Sequence, residues 1–212
     1  VDRSSALMMD PRWTRPFEPV AMSLQGRHVR LEPLAAQNAG GLLAAGHFPS
    51  LWTVTVQVPL DSHAAVEAHL ATAARNRADG SEVPFAIIHE ATDTLIGCTR
   101  WMDISRPHRR VEIGGTWITP AHQGSIANTE AKYLQLVQLF DVLAAIRVQL
   151  KTDLRNTQSQ RAMERLGAVR EGVLRRHMLV GDGYVRDYVY YGITDHDWPE
   201  VKRRLQERMK ND

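Results

Sequence analysis

Apolar and polar positions alternate along this chain in short blocks that predict strands, broken by longer stretches with helical spacing. Arg27 to Glu32 alternates as a half-buried strand does, and Pro33 closes it. Two helices are expected next, one from about Ala35 to Ala45, rich in alanine and leucine, and one from Asp61, a capping residue type, to about Arg77. Pro84 to His89, Thr94 to Met102 and Arg110 to Thr119 then read as three strands of an antiparallel meander, separated by turn-forming residues. Asn128 to Ala144 carries Tyr133, Leu136, Val137, Phe140, Leu143 and Ala144 on one helical face. Ile146 to Lys151 is the next strand, and Thr157 to Leu166 a short helix stopped by Gly167. Val173 to Val180 and Tyr184 to Ile193 form a hairpin through Gly181-Asp182-Gly183, and Asp197 to Lys210 a last helix with Trp198, Val201, Leu205 and Met209 on one side. This order predicts an α/β (α+β) domain, a mixed sheet with helices on its faces.

Composition narrows the function. With 43% hydrophobic residues and a net charge of +2, the 212 residues can bury a core, which excludes a disordered chain. No stretch reaches the roughly 18 to 20 apolar residues that cross a bilayer, and Val1 to Pro19 lacks the apolar core of a signal peptide, so a cytoplasmic protein without a membrane partner is expected. The near-neutral balance gives no reason to expect nucleic acid as a partner, and a lone Cys98 excludes a disulfide framework or a cysteine-based zinc site. Residues 1–22, with three prolines, are expected to be an arm, 23–195 the folded domain, and 196–212 a terminal helix packed on it.

Two segments carry candidate chemistry. From Trp117 to Ala131 the chain passes from a strand through a tight loop into a helix, and first-turn N–H groups backed by a helix dipole suit a phosphate or pyrophosphate, with Gly124 allowing close approach. The alternative is an ordinary strand-to-helix connection. The segment is neither a P-loop nor a three-glycine dinucleotide fingerprint. Just before it, Glu112-Ile113-Gly114-Gly115-Thr116-Trp117 places two glycines inside a strand, which marks a bulge or a ligand lying on the backbone. Glu112 beside that window is a candidate general base; the plainer alternative pairs it with a neighbouring arginine.

These blocks together resemble the GCN5-related N-acetyltransferase (GNAT) superfamily, and most closely its branch of RimJ and RimL ribosomal-protein N-terminal acetyltransferases. The resemblance covers about half the chain. It rests on Val111 to Pro120, on Gly124 to Lys132, on Leu150-Lys151-Thr152-Asp153 with Asn156, Ser159 and Leu166-Gly167-Ala168, and on Glu171 to Arg175 with Asp182-Gly183 and Arg186-Asp187. It implies a mostly antiparallel sheet of six to seven strands, acetyl-CoA as cosubstrate, no metal, and direct acetyl transfer to a primary amine, either a protein N-terminus or a small amine. A homodimer is a further implied partner.

On this resemblance Glu112 is the base and Ser159 the acid for the departing thiolate, because Met163 stands where many relatives carry a tyrosine and Met178 where some carry a glutamate. Trp117, Ile118, Thr119, Gln123, Gly124, Ser125, Ile126, Ala127, Asn128, Asn156 and Ser159 are the expected acetyl-CoA contacts. Arg175 and His177 on the hairpin are expected to meet the acceptor. Ala121 and Ile126 depart from the loop pattern Gln/Arg-x-x-Gly-x-Gly/Ala, but backbone N–H donors do not depend on side-chain identity. The alternative function is a non-catalytic module that binds or senses acyl-CoA.

Overall fold

The structure, a computed structural model, describes residues 10–181 and 183–210; the expectations for residues 1–9, Asp182 and 211–212 lie outside the described residues. Eight strands form one sheet: β1 (Leu24–Gln25), β2 (Val29–Pro33), β3 (Val83–His89), β4 (Thr94–Ser105), β5 (Arg110–Ile118), β6 (Arg147–Asp153), β7 (Val169–Leu179) and β8 (Val185–Thr194). Their spatial order is β1-β2-β3-β4-β5-β6-β8-β7, antiparallel throughout except for the parallel pair β5–β6. The count exceeds the expected six to seven because β1, two residues long, is too short to show alternation in the sequence.

Among the described residues five α-helices cover the two faces: α1 (Ala39–Gly46), α2 (His63–Ala78), α3 (Ile126–Val137), α4 (Thr157–Leu166) and α5 (Trp198–Lys210). Strand alternation sorts the side chains. Val111, Ile113, Val148, Leu150, Val189 and Tyr191 join Ala131 and Leu136 of α3 and Val201 and Leu205 of α5 in the larger core. On the opposite face Ala86, Ile88, Cys98 and Trp117 pack with Leu42 of α1 and Val66 and Ala73 of α2 in a smaller one. The arm is anchored by Phe17, which is buried under the Arg109 guanidinium at 5.3 Å, whereas Trp13 stays exposed.

Local chemistry corrects several boundaries. Ser62, not Asp61, caps α2, accepting from the Ala65 N–H, so the helix starts at His63. The helix expected over Asn128 to Ala144 begins earlier, at Ile126 under a Ser125 cap. It leaves α geometry at Gln138, where a wider π-type turn runs to Val142, and Arg109 takes the terminal carbonyls of Leu143 and Ala144. Glu130 fixes the direction of α3, its carboxylate accepting from the N–H groups of Arg27 and His28, between β1 and β2, and of Val29 at the start of β2. Between α1 and α2, residues 47–62 form a strap over the smaller-core face that the sequence reading left unassigned.

Candidate active site

The parallel pairing of β5 with β6 runs only from Arg110–Arg147 to Glu112–Gln149, while β5 continues to Ile118 and β6 to Asp153. The two strands therefore part just after Glu112 and leave a fork in the sheet. On its β4 side, β5 is bulged: Arg100 pairs with Gly114 and Cys98 with Trp117, so Gly115 and Thr116 together oppose Thr99. Gly115 has φ +57°, and a Cβ there would land on the Arg100 guanidinium, which is why glycine stands at this point. A Cβ on Gly114 would lie 2.6 Å from Met102 Sδ and 3.1 Å from Glu112 Oε1. The paired glycines thus keep the fork open beside a carboxylate.

Glu112 is 1% exposed. Its Oε2 accepts from Gln149 Nε2 and pairs with Lys151 Nζ, each at 2.9 Å, and its Oε1 has no hydrogen-bond donor among the described residues. The plainer expectation of an arginine partner is thereby corrected: on the parallel neighbour, two residues along the same face, the partner is a lysine. Lys151 Nζ also lies 5.5 and 5.8 Å from the ring centres of Tyr188 and Tyr190. Burial works against its charge, but Glu112 outweighs it and Lys151 is held above its ordinary pKa.

The loop after β5 presents backbone to solvent. Gly124 has φ +77° with nothing within 4 Å of where a Cβ would stand, and Ser125 Oγ accepts from Ala127 N–H while donating to the His122 carbonyl. The Ile126 and Asn128 amides in this first turn have no partner within the helix, and Asn128 Oδ1 is buried without a partner among the described residues. Gln123 donates to the Ile118 carbonyl and accepts from Gln158 Nε2 at 3.3 Å, linking this loop to α4.

The remaining expected residues divide. Asn156 is the cap of α4, its side-chain oxygen accepting from Ser159 N–H at 3.0 Å, so the two stand together at the helix start. Trp117, Ile118 and Ala127 are buried with their side chains in the cores, which leaves their backbone to the fork and loop, and Thr119 Oγ1 is engaged with His122 Nδ1. His177 is exposed, edge-on to Tyr188 and Tyr190 at 5.4 and 6.0 Å and therefore near Lys151. Arg175 lines an exposed groove with His177 and Asp187.

Sequence reading missed Gln149, Lys151 and Gln158, and also the strap. Val54 carbonyl accepts from Arg186 of β8, and Gln57 Oε1 from Arg100 of β4, so the strap crosses β5 and β6 on the Glu112 side. Arg186, 5% exposed, is fixed in turn by Asp153 of β6 at 3.0 Å. Among the described residues no cluster of three or more metal-ligating side chains occurs, and no helix is long and apolar enough to cross a membrane.

The family model of the acetyltransferase (GNAT) domain matches residues 28–169, and the chain belongs to this family. A GCN5-related N-acetyltransferase from Brucella melitensis has a similar structure, with TM-score 0.84 and 31% identity over 90% of this chain and 86% of that one. Among curated proteins, the probable N-acetyltransferase YjcK of Bacillus subtilis (strain 168) is 28% identical over 116 residues, 55% of this chain; the match spans 64% of YjcK. RimJ of Mycobacterium smegmatis, solved in complex with CoA-disulfide, shares the fold with TM-score 0.71 at 22% identity, over 94% of this chain and 97% of that one.

Proposed function

We propose that this protein transfers the acetyl group of acetyl-CoA to a primary amine, with the thioester seated in the fork between β5 and β6. The observation that carries this reading is the parting of those strands beside Glu112, where a bulge, two glycines and a buried carboxylate with one open oxygen converge. Acetyl-CoA supplies an acyl group that is already activated, so the chain has to orient the amine, accept its proton and polarise the carbonyl. The loop from Gln123 to Asn128 offers backbone N–H groups for the pyrophosphate, and Asn156 and Ser159 stand across from it at the start of α4. Glu112 Oε1 takes the proton from the attacking nitrogen, directly or through water, as the new C–N bond forms and the C–S bond breaks. Ser159, or water, protonates the departing thiolate.

An α-amino group, with a pKa near 7.7 to 8.0, is far less protonated at neutral pH than a lysine amine near 10.4, and so suits a carboxylate base of modest strength. That chemistry, with the likeness to RimJ and RimL, favours a peptide N-terminus as acceptor, approaching from the face that carries the strap and His177. Free-thiol release from acetyl-CoA, followed with a panel of N-terminal peptides, polyamines and aminoglycosides, tests the reading. Turnover with the peptides supports it; acetyl-CoA binding without release from any acceptor supports the acyl-CoA-binding module instead.

A further inference from the structure

Behind the β4–β5 bulge, on the face opposite Glu112, lies a lysine that this chemistry does not use. Lys132 of α3 is 6% exposed, and among the described residues no carboxylate stands within ion-pair distance of it. Its Nζ instead donates to Thr116 Oγ1 at 2.5 Å and Thr99 Oγ1 at 3.2 Å, and those two hydroxyls share a hydrogen bond of 2.8 Å. Thr116 is half of the bulge, and Thr99 is the β4 residue that the bulge opposes. A buried amine without a counter-ion is costly, and here it is spent on one short stretch of backbone.

We propose that Lys132 is a positioning residue for acetyl transfer, which through Thr116 and Thr99 holds the Gly115–Thr116 bulge in the shape that faces the thioester. This rests on the proposed acetyl transfer. Two physical effects follow from the charged form. An ammonium can only donate, so both threonine hydroxyls must turn their protons away from it, which fixes the orientation of the small network. Its positive charge, held against Thr116 of the bulge, would also favour the negative charge that develops on a thioester carbonyl seated there. Both effects vanish when the amine loses its proton, since a neutral amine accepts from a hydroxyl as readily as it donates.

The surroundings favour that loss near neutrality. Burial alone pushes the Lys132 pKa down to about 7, with no charged neighbour contributing. On β4 and β5 the adjacent charged groups, Arg100 and Glu112, point to the other face, towards Glu82 and Gln57 and towards Lys151. On α3 itself Glu130 is committed to the backbone N–H groups of Arg27, His28 and Val29, and Gln135 is neutral.

The test compares the full chain with Lys132→Met and Thr116→Val in thiol release from pH 6 to 9, using one acceptor for all. Expected is a loss of tenfold or more in kcat at pH 6 for Lys132→Met, with the KM for acetyl-CoA within about twofold. The ratio of wild-type to variant rates, in which the titration of the acceptor cancels, should fall towards one as pH rises through about 7. Thr116→Val should show the same loss, and the double variant no more than either alone. A ratio that stays flat with pH, a loss confined to the KM for acetyl-CoA, or additive effects in the double variant would overturn the proposal. Absence of turnover in the wild-type protein would instead overturn acetyl transfer itself, so the two failures are distinct.

Discussion

Glu112, on the last rung of the β5–β6 parallel ladder, meets Lys151, two residues beyond that rung on β6, at 2.9 Å where the two strands separate. The carboxylate is almost wholly buried and the lysine side chain is 20% exposed, so the pair compensates a charge that could not otherwise be held there. Lys151→Met should leave Glu112 without its ionic partner and cost about 3 kcal/mol, the low end for breaking a buried pair because the lysine still reaches solvent. Chemical denaturation at pH 7 measures it, and a change below about 1 kcal/mol would mean that Gln149 alone supports the carboxylate.

Gly115→Ala places a methyl group on a residue at φ +57° and against an Arg100 side chain that is already tied to Glu82 and Gln57. Strain of this kind costs on the order of 1 to 3 kcal/mol. Because the relief available is flattening of the bulge, turnover should fall by tenfold or more while the protein remains folded. Retained turnover together with a lowered melting temperature would show that the bulge shape does not serve catalysis.

Arg186 is one of two arginines that hold the strap, and it reaches both the Val54 carbonyl and Asp153. Arg186→Met should speed proteolytic cleavage within residues 53–58 and raise the KM of the acceptor while leaving acetyl-CoA affinity unchanged. The same variant bears on acid stability. Burial raises the Asp153 pKa, but hydrogen bonds from Arg155 and the charge of Arg186 prevail and hold it below the ordinary value. A carboxyl depressed in the folded state contributes stability that is present above its unfolded pKa of about 3.9 and lost as pH falls through the folded value. Without Arg186 the acid unfolding transition should move to higher pH.

Lys132 also makes stability rise with pH, but through a charge that burial disfavours rather than one that a partner holds. Its folded pKa of about 7 lies below the ordinary value of 10.5, so between these the unfolded chain binds more protons than the folded one. Stability contributed by this site therefore rises with pH across that window, at up to about 1.4 kcal/mol per unit. Unfolding free energies at pH 7.5 and 9.5 should show this gain in the wild-type protein relative to Lys132→Met. Equal changes in the two proteins would place the titration elsewhere.

The strands that carry the candidate site are legible because each alternates over enough residues to define its faces, and Glu112 stands out as a candidate because it lies beside two glycines, which a regular strand disfavours. Lys151 was legible as part of a strand but not as a partner of Glu112, since their meeting depends on a parallel register that no local pattern encodes. The strap was invisible for a related reason. Val54-Thr55-Val56-Gln57-Val58 alternates like a strand, yet no neighbouring strand pairs with it, and long-range contacts from Arg186 and Arg100 hold it. Asn156 was identified as a ligand contact from its place in the resemblance, whereas the structure adds a local duty, capping α4.

The most direct test of the account is the steady-state rate of thiol release by Glu112→Gln beside its affinity for acetyl-CoA. Glutamine keeps the size and the contact with Gln149 but cannot accept the amine's proton. A fall in kcat of a hundredfold or more is expected, within the range for general base catalysis, with acetyl-CoA affinity within about twofold. Undiminished turnover in a folded Glu112→Gln protein would contradict it and remove Glu112 from the reaction.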